Sequence, residues 1–489
     1  MSLGGQLSQT SLMRGMVSFL REKAWLIIAF LVGLIIYHLP VPDGLSREGQ
    51  IILMMVIVAV ILFVTEPVPL PTVALLIIGG QVVLLNKDAN VVASSLMSDS
   101  VLFIMGSLML AVGIIKQKLD KRLAYLIVRI TGTGLFQISV GITVVCGLLS
   151  SVIGGHTVAA MMLPVALTLI SLTKEHTKNI KGLAAVLLLS IAYGCAIGSI
   201  GTPSGGARNA IMIGYWRDFF FDPTNPETKK YIVDYLDWMK YAYPIFLAQL
   251  PFVTWILFKT FKPEHKTLRR AVAKLRKQIE KQGPIKGGDW AAIVIFLLTL
   301  TGWITLSDRL GLGIVAILGS ALFLMVGLVR WNDMNSGVNW GVVLIYAATI
   351  SLGVEMTQSG AAEWLAVSFL HLLGPLHMDH GVPLWAAYTA LTTLVANTMS
   401  AGAAVAVIGP VTLHTAELVG ESPIKLGYIT AISTSFAYFT AAAQPAFAIV
   451  FAAGYLRTRD FLKVGWRMAI MSVAILLLAA EFYWPLLDG

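Results

Sequence analysis

Long apolar runs separated by short polar segments divide the chain, and they predict helices that cross a membrane. Each run is close to the ~20 residues that a helix needs to span the hydrocarbon core of a bilayer. Clear examples are AWLIIAFLVGLIIYHL (24–39), IILMMVIVAVILFV (51–64), DWAAIVIFLLTLTGWITL (289–306) and MAIMSVAILLLAAEFYW (468–484). The pattern therefore predicts an all-α polytopic membrane protein.

The composition of the chain agrees with this pattern. Of its 489 residues, 57% are hydrophobic and 12% are charged, whereas soluble domains carry about 25% charged residues. The two cysteines, Cys146 and Cys195, both lie in apolar runs. We expect them to be packing residues and not a disulfide.

Basic residues between the apolar runs predict the orientation of the chain. Lysine and arginine cluster in four short segments: 116–129, 174–181, 262–286 and 457–463. Cytoplasmic loops of membrane proteins carry such an excess of basic residues. We therefore predict a protein of the cell's inner membrane, with these segments and the N-terminus in the cytoplasm. The net charge of +9 then reflects loops beside anionic lipid, and no nucleic-acid partner is expected.

One apolar block, 136–172, lies between two segments that are both predicted to be cytoplasmic. Its glycine-rich centre, GLLSSVIGGHT (147–157), favours a re-entrant hairpin that enters and leaves from one face. A span at 183–213 follows, and GSIGTPSGGARN (198–209) interrupts it. Non-helical backbone at membrane depth is tolerated where protein or a polar cavity surrounds it, so a site is expected at these breaks.

The second half of the chain repeats this order of elements. Three pairs stand at nearly the same spacing: 98–114 with 338–355, His156–Thr157 with Asn397–Thr398, and Pro203 with Pro445. An odd number of spans in each half would place the two halves in opposite orientations. Inverted repeats with interrupted segments at equivalent positions are typical of secondary transporters and mark the binding site. We predict about 11 transmembrane helices and two re-entrant hairpins.

These landmarks predict five segments with distinct tasks. They are N-terminal scaffold helices (1–135), first-repeat transport elements (136–260), a basic cytoplasmic linker (261–288), second-repeat scaffold helices (289–382) and second-repeat transport elements (383–489).

With these motifs, the chain resembles the divalent anion/sodium symporter family, whose human members carry citrate and dicarboxylates. TEPVPLPTVALL (65–76), LDKRLAYLIVR (119–129) and QGPIKGGDWAAIVIFLLTLTGW (282–303) are similar to the family's Thr-Glu-x-x-Pro-Leu segment, amphipathic linker and central re-entry. The resemblance implies a homodimer, a scaffold domain that holds the dimer interface, and a transport domain that moves as an elevator. Two hairpin tips and two broken helices would meet around the substrate.

The resemblance also implies the site residues. The family's paired Ser-Asn-Thr motifs fall on Gly155-His156-Thr157 and Ala396-Asn397-Thr398, and its breaks fall on GTPSGG (201–206) and AAQP (442–445). With Arg208 added, which the family pattern lacks, the candidate substrate-binding residues are Gly155, His156, Thr157, Pro203, Arg208, Ala396, Asn397, Thr398, Gln444 and Pro445. The implied Na⁺ ligands are Ser151, Gly155, Gly198, Thr393, Ala396 and Asn397.

The chemistry of such a site suits a small dianion. Removing a dicarboxylate from water must be offset by donors and positive potential, and helix N-termini at the tips and breaks supply both. Asn397 adds an amide donor, and Thr157 and Thr398 add hydroxyls. These donors suit succinate, fumarate, malate, citrate, 2-oxoglutarate and sulfate alike.

The chain departs from the family pattern at the first motif. Glycine and alanine replace both serines, His156 replaces the first asparagine, and Arg208 follows the first break. A histidine titrates near physiological pH, so a protonated His156 would supply the positive charge of one Na⁺, and H⁺ would replace Na⁺ in part. The alternatives are a core histidine bonded to a carbonyl and, for Arg208, an anchor at the membrane interface or an ion pair.

The sequence motifs separate three classes of function. The spans hold no HExxH, GxSxG or paired-aspartate motif, which argues against an intramembrane enzyme. A channel would need rings of pore-lining charge and no mobile hairpins. These observations favour a carrier, and the family resemblance implies a cation-coupled secondary transporter of C4-dicarboxylates or citrate-like anions. The alternative is a proton-coupled or exchange-type anion transporter, including one for sulfate, with weak or no Na⁺ dependence.

Overall fold

The structure is a computed structural model, and it describes residues 23–117, 132–174, 180–263, 267–269, 272–273, 287–441 and 443–488. The predicted amphipathic linker at 119–129 and most of the basic linker at 261–288 lie outside the described residues. Within those residues, ten helices are long and apolar enough to cross a membrane, and five shorter apolar helices accompany them. The prediction of an all-α polytopic membrane protein is confirmed.

The part of the first half that the structure describes contains ten α-helices. They are α1 (Ala24–His38), α2 (Arg47–Thr65), α3 (Leu70–Leu84), α4 (Ala89–Ser95), α5 (Asp99–Lys116), α6 (Leu135–Ile153), α7 (Gly155–Lys174), α8 (Lys181–Gly198), α9 (Ala207–Phe220) and α10 (Tyr235–Phe261). A 3₁₀ turn, Pro203–Gly205, divides α8 from α9. The predicted interruption of the span at 198–209 therefore matches the observed break.

The second half contains twelve α-helices among the described residues. They are α11 (Gly287–Thr305), α12 (Ser307–Leu310), α13 (Leu312–Met325), α14 (Trp331–Gly337), α15 (Trp340–Gln358), α16 (Ala361–Leu373), α17 (Gly381–Ala396), α18 (Ala401–Val419), α19 (Pro423–Ser433), α20 (Pro445–Ala452), α21 (Thr458–Leu478) and α22 (Pro485–Asp488). Irregular backbone between α19 and α20 forms the second break.

Two helical hairpins stand where the sequence predicts them, but their turns differ. In the first, Gly154 alone joins α6 to α7, and its φ of +81° lies in a region that glycine adopts without steric cost. In the second, residues 397–400 join α17 to α18, and the Ser400 side chain caps α18 by accepting a hydrogen bond from the Ala403 N–H at 3.3 Å. The turns therefore present different residues at the two tips.

Helices at corresponding positions of the two halves exchange partners. Helix α5 packs on α13 and α3 packs on α15, while α7 packs on α20 and α18 packs on α9. Two structurally equivalent halves would produce this reciprocal pairing. That the halves are inverted repeats stays a prediction.

Helix α8 is the most deeply buried of the ten long apolar helices, and small residues bring it close to α6. A Cβ atom on Gly194 would lie 2.9 Å from Cβ of Cys146, so the two backbones touch without intervening side chains. Cys146 and Cys195 are both buried and unbonded, as expected for packing residues.

A proline in the second hairpin leaves one backbone carbonyl free, and the first broken helix donates a hydrogen bond to it. Pro410 lies inside α18 and has no N–H to donate to the carbonyl of Ala406 one turn earlier. The hydroxyl of Tyr215 on α9 donates to that carbonyl at 3.0 Å. The Tyr215 ring lies against Gly353 and Gly409, where a Cβ atom would crowd it. The broken helix is therefore fitted to a gap in the hairpin helix.

Candidate functional site

Four helix N-termini converge on one cavity of about 530 Å³, which we call the central cavity. The first residues of α7, α9, α18 and α20 line it, namely Gly155, Ala207, Ala401 and Pro445. The first turn of a helix leaves backbone N–H groups unpaired and carries partial positive charge. Four such termini around one cavity make a site suited to an anion.

Arg208 adds a full positive charge to the central cavity. It is the second residue of α9 and is only 7% exposed. Its Nη2 donates to the Ser199 hydroxyl at 2.7 Å, while its buried Nε has no partner. Among the described residues no carboxylate forms an ion pair with it. A buried, uncompensated charge is costly, so this geometry favours an anion-binding role over an interfacial anchor.

His156 also faces the central cavity. It is the second residue of α7, its side chain is exposed, and its ring approaches the turn residue Gly154. The described part of the chain offers it no hydrogen bond and no ion pair. The arrangement differs from that of a core histidine bonded to a carbonyl, and it leaves both ring nitrogens available to a ligand.

The break between α8 and α9 is held by its own polar groups. The Asn209 amide nitrogen donates to the carbonyls of Ser199 and Thr202 at 3.0 and 2.7 Å. The Thr202 hydroxyl donates to the carbonyl of Ser151 on the first hairpin. These bonds fix the backbone that presents Pro203 and Arg208 to the cavity.

Two of the three predicted Na⁺ ligands of the first half, Ser151 and Gly198, are hydrogen-bonded within the protein. The Ser151 hydroxyl donates to the Leu148 carbonyl at 2.8 Å, and the Ser151 carbonyl accepts from Thr202. The Gly198 carbonyl accepts from the N–H of Gly201 at 3.0 Å. Each carbonyl keeps a second lone pair, but the set is already tied into the fold.

The second tip presents different residues to the central cavity. Ser400, Ala401 and Gly402 line it, whereas Asn397, the first residue of the turn, forms its side-chain hydrogen bonds with backbone atoms of the protein. The Asn397 amide nitrogen donates to the Thr393 carbonyl at 2.8 Å, and its oxygen accepts from the Phe439 N–H at 2.9 Å. Asn397 thus ties the second hairpin to the second break.

Oxygen atoms gather around Asn397 on the side away from the central cavity. The Thr393 hydroxyl donates to the Ser433 carbonyl at 3.3 Å, which places the two elements in contact. Amide, hydroxyl and carbonyl oxygens are the neutral ligands that a hard cation accepts, so this donor set fits Na⁺. Thr398 is exposed, and its hydroxyl donates to the Val395 carbonyl at 2.7 Å.

The central cavity gathers part of the predicted substrate-binding set. Six of the ten line it: Gly155, His156, Pro203, Arg208, Gln444 and Pro445. Four do not: Thr157, Ala396, Asn397 and Thr398. The Gln444 amide nitrogen donates to the carbonyls of Ser435 and Ala437 at 2.7 and 3.3 Å, so this side chain braces the second break.

Sequence reasoning missed the cavity wall that α5 and α15 provide. Ser107 on α5 has a buried hydroxyl with no hydrogen-bond partner among the described residues, and Tyr346 on α15 packs against Gly402. A Cβ atom at position 402 would overlap the Tyr346 ring. The match between 98–114 and 338–355 marked these helices, but no local motif marks the two side chains.

A family model supports the predicted class of protein. The model, described as the sodium:sulfate symporter transmembrane region, matches residues 21–489. The match covers nearly the whole chain.

Individual proteins also resemble the chain. An uncharacterized transporter of Haemophilus influenzae is 27% identical, over 79% of this chain and 82% of its own. Two proteins named sodium-dependent dicarboxylate transporter SdcS, from Staphylococcus saprophyticus and Staphylococcus aureus, are each 23% identical over 94% of this chain and 90% of theirs.

Two solved structures share the fold at low sequence identity. The YdaH transporter of Alcanivorax borkumensis is 15% identical with a TM-score of 0.52, over 80% of this chain and 86% of its own. MtrF of Neisseria gonorrhoeae is 12% identical with a TM-score of 0.57, over 89% and 95%. At this identity the likeness concerns the fold alone.

Proposed function

This chain belongs to the sodium:sulfate symporter family, and on that basis we propose that it is a cation-coupled carrier of small divalent organic anions, C4-dicarboxylates or citrate-like, in the cell's inner membrane. The family match confirms the predicted family and the prediction of a transporter instead of an enzyme. The finer assignment rests on the central cavity.

The unpaired Arg208 inside a ring of four helix N-termini carries the proposal. A dianion that enters this cavity gains a guanidinium partner and the N–H groups of α7, α9, α18 and α20. Charge-assisted hydrogen bonds of this kind offset the desolvation of a carboxylate. The names of the staphylococcal relatives, which are sodium-dependent dicarboxylate transporters, support a dicarboxylate over sulfate.

The proposed coupling ion is Na⁺ at the second tip. Thr393, Asn397 and the Ser433 carbonyl bring neutral oxygens together there, and the relatives' names include sodium dependence. The candidate oxygens of both halves are hydrogen-bonded within the protein, and what distinguishes the first half is His156 in place of an asparagine together with the buried Arg208. We propose that His156 and Arg208 supply positive charge on that side, with H⁺ in part replacing Na⁺.

The proposed mechanism is an elevator in a homodimer. The hairpins and broken helices of the two halves pack on one another, α7 on α20 and α18 on α9, as parts that move together would. Helices α5 and α13 form a second close-packed pair. We assign the first group to the transport domain and the second to the scaffold that holds the dimer.

Counterflow in proteoliposomes tests the proposed function. Labelled succinate would be exchanged against succinate, fumarate, malate, citrate, 2-oxoglutarate and sulfate, each with and without Na⁺. We expect trans-stimulation by dicarboxylates and faster uptake with Na⁺. Flux without trans-stimulation would indicate a channel, and stimulation by sulfate alone would replace the dicarboxylate assignment.

His156 favours a second candidate function, a proton-coupled or exchange-type anion carrier. An unpaired histidine in the central cavity provides a site that can gain a proton at physiological pH. Uptake that is independent of Na⁺ but driven by an imposed pH gradient would support this function, and the same vesicles serve both tests.

A further inference from the structure

Four helix ends meet at a second pocket, away from the central cavity. Helices α5, α13 and α10 begin there and α9 ends there, around a space of about 260 Å³ that we call the outer junction. The pocket adjoins the segment 217–240, whose five acidic and four basic residues lack the basic excess of a cytoplasmic loop, so the sequence predicts the outer face for it. Here the predicted scaffold helices α5 and α13 face the predicted transport helix α9.

Asp99 joins the two scaffold helices firmly at this junction. Its carboxylate accepts the N–H groups of Leu312 and Gly313, the first residues of α13, at 3.1 and 3.0 Å. Farther along, the Ser320 hydroxyl donates to the Gly106 carbonyl at 3.0 Å. A Cβ atom on Gly106 would lie 2.8 Å from the backbone carbon of Ala316. Close backbone contact and bonded polar groups make this a permanent interface.

The contact between α5 and α9 is also close at Gly214, where a Cβ atom would lie 3.2 Å from Cβ of Ser100, but at the pocket itself it is built from an ion pair. Arg217 Nη1 lies 3.8 Å from Asp99 Oδ2, and the Arg217 side chain is 49% exposed. The Ser98 hydroxyl beside it is buried without a partner among the described residues. A polar contact with unsatisfied groups loses little when water enters between its faces, so this interface separates at low cost.

Arg217 also balances the charge of the outer junction. The carboxylates of Asp99, Asp218 and Asp234 line the pocket, and Arg217 is the one cationic side chain among the described residues that do so. Without Arg217, carboxylates on α5 and α9 would face each other, and like charges repel. The ion pair therefore decides whether the two helices attract or repel at this end.

We propose that Arg217 and Asp99 form a latch that holds α9 against α5 and opens when the transport elements move. The latch rests on the proposed function, because it assigns α5 to the scaffold and α9 to the moving part. Both residues are positioning residues, since neither lines the central cavity. Their effect is on the balance between two positions of the transport domain.

A cysteine pair across the latch tests whether α5 and α9 separate. A Cβ atom on Gly214 would lie 3.2 Å from Cβ of Ser100, near the range that a disulfide spans. In the double variant S100C/G214C, oxidation with copper phenanthroline should cross-link the helices and abolish uptake, and a reductant should restore it. No cross-link, or full uptake after cross-linking, would overturn the latch.

A matched pair inside the scaffold provides the control. A Cβ atom on Gly319 would lie 3.1 Å from Cβ of Thr299. Gly319 is on α13 and Thr299 is on α11, and both helices belong to the predicted scaffold. The variant G319C/T299C should cross-link under the same conditions without loss of uptake. This control separates a block of motion from damage by the oxidant.

The charge of Arg217 is tested in the same cysteine background. Arg217→Gln should slow cross-linking at least threefold, because fewer molecules hold α9 against α5, while Arg217→Lys should keep the rate close to that of the parent. Equal rates in all three would overturn the latch. Cross-linking is scored on a gel, so it is read separately from uptake, and wild-type counterflow alone decides the proposed carrier function.

Discussion

The two hairpin tips share a backbone plan but carry different side-chain chemistry. At the first tip, His156 faces the central cavity without a partner, and Arg208 lies just beyond the neighbouring break. In the second half, the amide groups of Asn397 at the tip and of Gln444 at the break form hydrogen bonds with backbone atoms. Helix N-termini supply positive potential on both sides. The side chains make the difference, because the first half presents charged groups and the second half presents neutral oxygen atoms.

The different turns explain why equivalent motif residues end in different places. His156 follows a one-residue turn at Gly154 and so belongs to the first turn of α7. Asn397 is the first residue of a four-residue turn, 397–400, and is the C-cap residue of α17. Three extra residues move the asparagine from the cavity side of the tip to the interior side. Position in a motif therefore does not fix the role of the residue.

The largest effect is expected for Asn397→Ala, which removes the link between the second hairpin and the second break. Losing hydrogen bonds to buried backbone groups costs about 1–3 kcal/mol, and the proposed Na⁺ site loses an oxygen. We expect uptake to disappear while the protein still folds, and thermal stabilisation by Na⁺ to be lost. The neighbouring Thr398→Ala, which removes an exposed hydroxyl, should retain most uptake. Normal uptake by Asn397→Ala would contradict the assignment.

Arg208→Gln should weaken anion affinity about 100-fold, since truncating a buried charged partner costs about 2–5 kcal/mol. Arg208→Lys keeps the charge but loses the planar fork, so we expect an intermediate loss. Titration of succinate against thermal stability measures both.

The anion-free protein provides a further readout for Arg208. Replacing an unpaired buried charge should leave the anion-free protein at least as stable as the wild type. Arg459→Gln, at an exposed position near the start of α21, serves as the control. If both Arg208 variants bind succinate normally, Arg208 is not a substrate residue.

A pH profile of uptake sharpens the difference between the tips. With the ionisation of the substrate held constant, wild-type uptake should rise as the pH falls through the range in which the histidine gains a proton. Protonation adds positive charge next to the anion and raises its affinity. His156→Asn should lose this rise and become more dependent on Na⁺. Superimposable profiles would assign His156 a packing role.

The smallest effect is expected when one glycine at each tip is replaced by alanine. A Cβ atom on Gly402 would overlap the Tyr346 ring, whereas on Gly155 it would lie 3.3 Å from Cβ of Cys195. Overpacking costs about 1–3 kcal/mol, so Gly402→Ala should lower the melting temperature and reduce uptake severalfold. Gly155→Ala needs only a small shift of Cys195 and should change stability less. Equal losses in both variants would show that the tips are equally tight.

Local patterns predicted most of the fold. Runs of apolar residues predicted the helices, and glycine and proline predicted the breaks, because backbone propensity and burial act within a few residues of chain. Thus the interruption at 198–209 and the hairpin centre at 147–157 both appear in the structure. The motifs and breaks on which the family resemblance rests, together with Arg208, include six residues that line the central cavity.

Contacts between distant segments were beyond the reach of these patterns. Ser107 and Tyr346 join the cavity only because α5 and α15 pack beside the tips, and no spacing along the chain encodes that approach. The Arg217–Asp99 pair likewise spans more than a hundred residues. The position of Asn397 in its turn depends on the length of the turn, and the matched spacing of the two halves did not predict that length.

The fit of Tyr215 into the gap left by Pro410 has a consequence for how this chain can vary. Tyr215 needs the free carbonyl of Ala406 and the space above Gly353. Replacing Pro410 alone restores a backbone donor that competes for that carbonyl, and replacing Tyr215 alone leaves the carbonyl buried and unpaired. Each single change is unfavourable, yet a joint change removes both the donor and the need for it. These positions therefore form an epistatic unit, and substitutions at them are expected to occur together.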